Sequence, residues 1–320
     1  MNGFFSQTAF GACPIYPDVV ALGREVRLQL KLPGEASTAE EILNRLDTLH
    51  GAGAFSGYVL SQPYLKQRSL DEQIGSFICF GIPSQTDWFR DRNAFRAFKF
   101  EILPSYTTLN RPMRIASIGC STGMEVYSAL LAANAPGRIL ELRGYDVNPS
   151  SLVVARQGIF PGRKLVPGNP WSILPIQFQD RQLVDPASVA QYVARYGILP
   201  SSVGDQSWFS LTAPPGVVTF VQHDIVTHPL DVPVDVAFLL KVRLHFPAAT
   251  RCRILRNLRS SITEGGWVIS DSEDALRQEV IDEFRQAGFS KVPVRAPGWW
   301  GGLEDISDTT TIYRPTKSCG

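Results

Sequence analysis

The segment from Arg114 to Ser128 constrains the fold more than any other part of the chain. Residues Arg114–Ile118 form a short apolar run, which predicts a buried strand that ends abruptly in small residues. Gly119 and Gly123 enclose Cys-Ser-Thr, so side-chain bulk is missing where the backbone would approach a ligand. The helix predicted after this turn begins with free N–H groups. A strand, a glycine turn and a helix in this order predict an α/β domain that holds a ligand at the turn.

An acidic residue at the end of the next apolar run indicates the kind of ligand. The run that begins at Ile139 leads into Gly-Tyr-Asp-Val-Asn, where Asp146 and Asn148 stand. Asp146 follows the glycine turn by about 20 residues, the place from which a carboxylate accepts both hydroxyls of a ribose. The glycine spacing is neither the G-x-G-x-x-G of dinucleotide folds nor a Walker loop, because no Gly-Lys-Ser/Thr follows. The pattern therefore predicts a nucleoside ligand.

The charge beside the turn favours one nucleoside. Glu125 stands in the first turn of the predicted helix, where it would repel a phosphate and suit an α-ammonium or sulfonium cation. S-adenosylmethionine fits that charge pattern. We therefore predict S-adenosylmethionine as the cofactor, bound by Gly119, Ser121, Gly123, Glu125, Asp146 and Asn148.

Composition narrows the class of protein. The chain has 320 residues, 44% of them hydrophobic, which is enough for one large α/β domain with an accessory segment. Its net charge of +1 argues against nucleic acid and anionic membranes as partners, and no apolar run approaches the length of a membrane span. The five cysteines include no C-x-x-C, which favours a reducing compartment, and the four histidines lack metal-ligand spacing. We expect a cytoplasmic protein without a bound metal.

The order of patterns along the chain predicts its organisation. From Arg114 onward, apolar runs alternate with helical patterns, which predicts a doubly wound, mostly parallel sheet of about seven strands. Residues 1–105 lack this alternation and are expected to form a helical N-terminal segment, with an amphipathic helix at Thr38–Leu49. Residues 106–320 are expected to form the cofactor-binding α/β domain.

An insertion is expected within this domain at residues 160–215. It is rich in Pro, Gly and aromatic residues, and a helix is predicted near Ala187–Tyr196. Its aromatic rings would either form a lid over the substrate or fill the joint between the insertion and the sheet.

Several segments resemble one known family. The loop from Gly119 to Ser128 resembles the Cys-Ser-Thr-Gly-Glu-Glu-x-Tyr-Ser loop of the chemotaxis-type (CheR-like) protein-glutamate methyltransferases, with Met124 in place of the first Glu. Further similar segments follow the family's order between Ser84 and Glu273. The resemblance implies a class I methyltransferase fold, which is Rossmann-like, and S-adenosylmethionine as the cofactor.

The resemblance also implies roles for residues outside the glycine loop. Thr86 and Arg90 match a family segment that reaches the methionine end of the cofactor, and a guanidinium can hold a carboxylate in a planar two-point contact. Asp224 and Ile225 match a pair beside the adenine, so Asp224 is expected to accept a hydrogen bond from the exocyclic amine. Val242 belongs to another matching block and is expected beside the cofactor.

The chain departs from the family where methyl transfer would occur. Lys241 and His245 stand where the family typically has Asn and Tyr. Lysine is a longer cation that only donates hydrogen bonds, so it cannot simply replace an asparagine. We predict Arg90, Lys241 and His245 as the catalytic residues.

These departures favour a small-molecule enzyme of secondary metabolism over a protein-glutamate O-methyltransferase. Such an enzyme would transfer methyl to a carboxylate, hydroxyl or amine of a small-molecule substrate. In a less common variant the cofactor itself is the substrate, and its α-amine attacks its γ-carbon to give azetidine-2-carboxylate and methylthioadenosine. A non-catalytic cofactor-binding protein is the third hypothesis, and the intact Glu125, Asp146 and Arg90 speak against it.

Overall fold

A computed structural model provides the coordinates, and it describes most of the chain from residue 53 onward. The described residues are 24, 41, 44, 46–47, 53–61, 63–77, 86–106, 111–133, 139–162, 174–180, 182–184, 189, 193–198, 207–211, 213, 216–271, 277–297, 303–306 and 311–316. Of the predicted helix Thr38–Leu49, only Glu41, Asn44, Leu46 and Asp47 are described, and all four are helical. The rest of that helix lies outside the described residues.

The central feature is a seven-stranded sheet with the order β6-β2-β1-β7-β8-β12-β9. Its strands are β1 (Met113–Ile118), β2 (Leu140–Asp146), β6 (Val218–Gln222), β7 (Val234–Leu239), β8 (Ile262–Ser270), β9 (Phe289–Val292) and β12 (Thr311–Pro315). Strands β6, β2, β1, β7 and β8 pair in parallel, whereas β12 runs antiparallel to both β8 and β9. The predicted doubly wound, mostly parallel sheet is confirmed.

Helices cover both faces of this sheet. They are α1 (Ala54–Ser61), α2 (Leu70–Ser76), α3 (Arg92–Ala97), α4 (Met124–Ala133), α5 (Pro149–Gln157), α6 (Ala248–Ser261) and α7 (Gln278–Gln286). All six residues of β7 are buried, because alternate side chains enter two different cores. Val236 and Phe238 pack in the core that contains α4, and Ala237 and Leu239 pack in the core that contains α6.

Helix α3 continues as a π-helical turn at Phe98–Ile102 and a 3₁₀ turn at Leu103–Tyr106. The Asp91 side chain caps α3 by accepting a hydrogen bond from the Ala94 N–H at 3.0 Å. This cap fixes the start of α3 directly after Arg90. The chain therefore enters α3 through the segment that was predicted to reach the cofactor.

The region between α5 and β6 contains a second, smaller sheet. Its antiparallel strands are β3 (Ile159–Pro161), β4 (Val193–Ile198) and β5 (Ser207–Leu211), in the order β3-β5-β4. The predicted helix near Ala187–Tyr196 is wrong for residues 193–196, which belong to β4. Local propensity was overridden here, because Val-Ala-Arg-Tyr pairs with a strand that lies later in the sequence.

Aromatic side chains of this region fill the joint with the main sheet. Phe178 and Phe209 are buried, and the Trp88 ring lies 4.7 Å from the Phe178 ring and 5.8 Å from the Phe209 ring, measured between centroids. Phe160 also packs on Trp88 at 4.8 Å. These three rings are therefore part of the core.

A separate antiparallel hairpin consists of β10 (Arg295–Pro297) and β11 (Leu303–Asp305). The Pro297 carbonyl of this hairpin accepts a hydrogen bond from the Arg96 side chain of α3.

The tight junction of β1, β2 and β6 predicts opposite effects for two glycine substitutions. A Cβ added at Gly144 would lie 2.6 Å from Phe220 Cδ1 and 2.8 Å from Cys120 Sγ, whereas a Cβ at Gly57 of α1 would meet nothing within 4 Å. We expect Gly144→Ala to destabilise the protein by about 1–3 kcal/mol through overpacking. Gly57→Ala should instead stabilise it by up to about 1 kcal/mol through helix propensity. Denaturant unfolding of both variants would measure this, and equal stabilities would contradict the assigned junction.

Candidate functional site

The glycine turn lies at the carboxyl edge of the parallel strands. It follows β1, and the N–H groups of Gly119 and Cys120 both donate to the Tyr145 carbonyl, at 2.7 and 3.0 Å. Gly119 and Gly123 have φ of 69° and 88°, a region that favours glycine because it has no Cβ. The turn is thus held against the end of β2, as the carboxyl ends of adjacent parallel strands allow.

Both glycines are required by close packing as well as by backbone conformation. A Cβ on Gly119 would lie 2.6 Å from Val242 Cγ2. A Cβ on Gly123 would lie 3.0 Å from Ala155 Cβ and 3.0 Å from Phe220 Cζ. Val242, predicted beside the cofactor, therefore packs directly on the glycine turn.

Asp146 connects the end of β2 to the turn. Its Oδ2 accepts a hydrogen bond from the Ser121 N–H at 2.7 Å, and its Oδ1 accepts from the Asn148 N–H at 2.8 Å. Ser121 is held at φ 51°, an uncommon conformation for a residue other than glycine. Burial raises the pKa of Asp146, an effect that the backbone hydrogen bonds from Asn148 and Ser121 partly oppose.

Glu125, in the first turn of α4, is a second carboxyl group at the site. The Ser117 hydroxyl of β1 donates a hydrogen bond to Glu125 Oε1 at 2.7 Å. Burial raises the pKa of Glu125 to about 8. The Ser117 hydrogen bond and the charge of Arg90 both lower this pKa, but the effect of burial is larger. The nearby charge of Asp271 raises this pKa further. Glu125 is therefore mostly protonated at pH 7.

Arg90 and His245 come together from segments far apart in the sequence. Arg90 follows Phe89, whose N–H donates to the Ser128 hydroxyl at 3.1 Å and whose φ is 46°. His245 lies in a 3₁₀ turn, Arg243–His245, after β7. Partial burial lowers the pKa of His245, and the positive charge of Arg90 lowers it further. The imidazole is therefore neutral at pH 7.

Lys241 is held by a carboxylate that the sequence did not predict as a site residue. The Lys241 N–H donates to both oxygens of Asp271, at 2.7 and 2.9 Å, and Lys241 Nζ lies 3.7 Å from Asp271 Oδ1. Asp271 is fully buried and directly follows β8. Its place at the carboxyl end of a parallel strand is the signal that could have identified it. The catalytic role of Lys241 stays a prediction. Its φ of 59° is, like that of Ser121, uncommon for a residue other than glycine.

Of the remaining predicted residues, Asn148 follows the carboxyl end of β2, and Asp224 and Ile225 follow the carboxyl end of β6. The side-chain oxygen of Asn148 accepts a hydrogen bond from the Ser151 N–H at 3.3 Å and so caps α5. Asp224 accepts the Val226 N–H at 2.9 Å in the turn after β6, and Ile225 is buried beneath it. Thr86 is partly buried ahead of the Arg90 segment and makes no hydrogen bond to a described residue. The cofactor contacts predicted for these residues stay predictions.

The chemistry of this edge fits S-adenosylmethionine. A carboxylate has about four acceptor sites, so Asp146 can accept a further donor such as a ribose hydroxyl. Glu125, in the first turn of the helix that follows the glycine turn, provides an acid for an ammonium group. Among the described residues, no group of three or more His, Cys, Asp or Glu side chains could hold a metal ion. In the same part of the chain, no helix is both long and apolar enough to traverse a bilayer.

Part of the chain is similar to known methyltransferases. Residues 84–172 match the family model described as "CheR methyltransferase, SAM binding domain". A provisionally named methyltransferase, Cher3 of Pseudomonas putida, is 26% identical over 196 residues, which cover 60% of this chain and 64% of that protein. The "chemotaxis protein methyltransferase" of Vibrio anguillarum is 22% identical over 201 residues, covering 60% of this chain and 65% of its own length. The chain thus matches just under two thirds of the length of these relatives.

Among solved structures, the magnesium protoporphyrin IX methyltransferase of Synechocystis with bound S-adenosylhomocysteine has a TM-score of 0.36 and 11% identity. The similarity covers 80% of this chain and 97% of that chain, and it carries no information about activity.

The sheet order, the glycine turn and its acidic partner define a class I, Rossmann-like domain that binds S-adenosylmethionine. Over residues 84–172 the chain is similar to the S-adenosylmethionine-binding domain of CheR methyltransferases, and its similarity to the two named relatives is distant.

Asp146→Asn tests the predicted ribose site while it preserves the shape of the side chain. We expect the variant to bind S-adenosylhomocysteine more weakly by about 2–4 kcal/mol, because charged hydrogen bonds to the ribose and to the turn are lost. Isothermal titration calorimetry measures the affinity. Glu141→Gln on the same strand, whose carboxylate binds Arg143 at 2.8 Å, is the control and should bind normally. Equal affinity of Asp146→Asn and the wild type would disprove the assignment.

Binding of the cofactor should release a proton from Glu125. A ligand ammonium favours the carboxylate form, whereas the free protein at pH 7 holds Glu125 mostly protonated, with a pKa of about 8. Affinity should therefore rise between pH 6 and about 8, and it should fall above about 8 as the α-ammonium of the ligand loses its proton. Calorimetry with S-adenosylhomocysteine in buffers of different ionisation enthalpy counts the released protons. Glu125→Gln should abolish the release, and a wild-type protein that releases none would contradict the assigned role.

Proposed function

We propose that the protein is an S-adenosylmethionine-dependent enzyme that acts on a small molecule in secondary metabolism. The observation that carries the proposal is the pair of departures at the carboxyl end of β7. There, Lys241 is bound to Asp271, and His245 is kept neutral beside Arg90. Both residues stand where the family typically has Asn and Tyr, so the acceptor should differ from a receptor glutamate.

Methyl transfer is the first form of this proposal. A lone pair of the acceptor forms a bond to the methyl carbon while the carbon–sulfur bond breaks, and that electron pair remains on sulfur. The main task of the protein is to align the acceptor, the methyl carbon and the sulfur. An amine or hydroxyl acceptor must also lose a proton, and a neutral imidazole such as that of His245 can accept it. A carboxylate acceptor would need no base.

Cyclisation of the cofactor is the second form. The α-amine lone pair would bond to the γ-carbon as the bond from that carbon to sulfur breaks, which releases methylthioadenosine and leaves the azetidine nitrogen to lose a proton. This reaction needs no second substrate. The motivating observation is the half-buried Glu125, whose raised pKa indicates a site that can exchange a proton near an amine. Arg90 would hold the carboxylate of the same molecule.

The alternative is a protein-glutamate O-methyltransferase. The names of the Vibrio relatives, which are called chemotaxis protein methyltransferases, favour this reading. Against it stand the replacements at Lys241 and His245. A protein that binds the cofactor without turnover is the remaining alternative, and the assembled Glu125, Asp146 and Arg90 argue against it.

One assay separates these functions. Purified protein is incubated with S-adenosylmethionine alone, and the products are identified by mass spectrometry. Cyclisation predicts methylthioadenosine and a four-membered imino acid, whereas methyl transfer predicts an intact cofactor until an acceptor is added. We expect S-adenosylhomocysteine to form with amine- or hydroxyl-bearing small molecules, and His245→Ala to lower that rate by about 100-fold or more.

Two results of this assay would contradict the proposal. The proposal is wrong if a receptor peptide with methylatable glutamates is the acceptor that reacts. It is also wrong if the cofactor binds tightly but no product forms with any acceptor or without one. Asp231→Asn is a suitable active control, because Asp231 is exposed and accepts a hydrogen bond from the Tyr145 hydroxyl at 2.7 Å.

A further inference from the structure

Two residues that depart from the family pattern, Lys241 and His245, lie on one short segment, residues 241–246, which we call the site loop. It carries Lys241, Val242 and His245, and Val242 packs on Gly119 of the glycine turn. Within the site loop, Lys241 has a positive φ, Arg243–His245 form a 3₁₀ turn and Phe246 is extended. A single short turn forms few hydrogen bonds within the loop. Its position therefore depends on contacts with other elements.

Arg243 anchors the middle of the site loop from beneath. Its side chain is 2% exposed, and its Nη2 donates to Glu283 Oε2 at 2.5 Å. The guanidinium carbon also lies 5.1 Å from the centre of the Phe284 ring. A buried guanidinium needs such a partner, because an unpaired buried charge is strongly destabilising. Arg243 thus points away from the site, into the contact with α7.

The same carboxylate also anchors the end of the loop. Arg251 of α6 donates to Glu283 Oε1 from Nη2 at 2.6 Å, and its Nη1 donates to the Phe246 carbonyl at 3.1 Å. Burial alone would raise the pKa of Glu283, but the hydrogen bonds from Arg251 and Arg243 lower it, so the group is ionised at neutral pH. One side chain of α7 thereby connects two arginines that hold the loop at residues 243 and 246.

We propose that Glu283 is a positioning residue for the site: through Arg243 and Arg251 it fixes the site loop, and thereby places Val242, Lys241 and His245 against the cofactor turn. Glu283 itself does not line the site. The inference rests on the proposed function only in that S-adenosylmethionine is the ligand of the turn. A device of this kind preorganises the site without contact with the reacting atoms.

Two variants on α7 test the proposal. Glu283→Gln keeps the shape of the side chain but removes the charge that both arginines share. Asp282→Asn is the matched control, because the adjacent Asp282 is 41% exposed and accepts hydrogen bonds from Arg285 and Gln278 of its own helix. Affinity for S-adenosylhomocysteine is measured by calorimetry well below the unfolding temperature, and the His245 imidazole is titrated by NMR.

Glu283→Gln should bind S-adenosylhomocysteine about 10-fold more weakly, as expected of a residue that acts on a site through a packed network. The NMR titration midpoint of His245 should shift, because the imidazole moves relative to Arg90. Asp282→Asn should match the wild type in both measurements. A purely structural role would lower the unfolding temperature of Glu283→Gln and leave affinity and titration of the folded protein unchanged, and that result would overturn the proposal.

A third variant covers the case in which Glu283→Gln does not fold. Arg251→Gln removes one arm of the network and leaves the buried Arg243–Glu283 pair in place, so it should fold and bind S-adenosylhomocysteine about threefold more weakly. Wild-type affinity in Arg251→Gln would count against the positioning role. If the wild type itself binds no S-adenosylhomocysteine, the proposed function fails, which is a different outcome from an unchanged affinity in the variants.

Discussion

The hydrogen bond from the Ser121 N–H to the Asp146 carboxylate is the interaction on which the rest of the site depends. It joins the turn after β1 to the end of β2 at 2.7 Å, and the Asn148 N–H on the other carboxylate oxygen fixes the entry to α5. Burying a carboxylate costs free energy, and these backbone donors offset that cost while they hold Ser121 at a positive φ. The glycine turn is therefore preformed, so a ligand would lose little free energy in ordering it.

Backbone strain is concentrated around this turn. Within the part of the chain that the structure describes, the non-glycine residues with positive φ are Phe89, Ser121 and Lys241. Ser121 and Lys241 are predicted site residues, and Phe89 directly precedes Arg90, which is another. Each strained N–H has a specific acceptor, which is the Ser128 hydroxyl for Phe89, the Asp146 carboxylate for Ser121 and the Asp271 carboxylate for Lys241. Such conformations persist only where the surroundings hold them, and they are typical of functional sites. The strain marks the same place that the cofactor pattern indicated.

The parts of the molecule that sequence reasoning predicted are those encoded locally. The strand, glycine turn and acid of β1 and β2 follow from patterns within a short stretch, and the sheet order then brings Asp146 and Ser121 together. The helix predicted near Ala187–Tyr196 is wrong at residues 193–196, because β4 is defined by pairing with β5, which comes later in the chain. Asp271 was missed for a similar reason, since its hydrogen bond to Lys241 joins residues 30 positions apart. Long-range contacts of this kind leave no periodic signal in the sequence.

Lys241 stands where the similar family typically has a neutral asparagine. The surroundings of Lys241 explain how a lysine can be accommodated at this position. A lysine that is largely buried would be costly unless an acid balances its charge, and Asp271 does so while it also accepts the backbone N–H of the same residue. The charge of Lys241 is thus balanced within the protein. Arg90 is the cation that lowers the pKa of both Glu125 and His245, so it links the acid beside the glycine turn to the imidazole of the site loop. A ligand carboxylate that met Arg90 would weaken this effect on His245, and binding at one end of the site would then alter the proton affinity of the imidazole at the other.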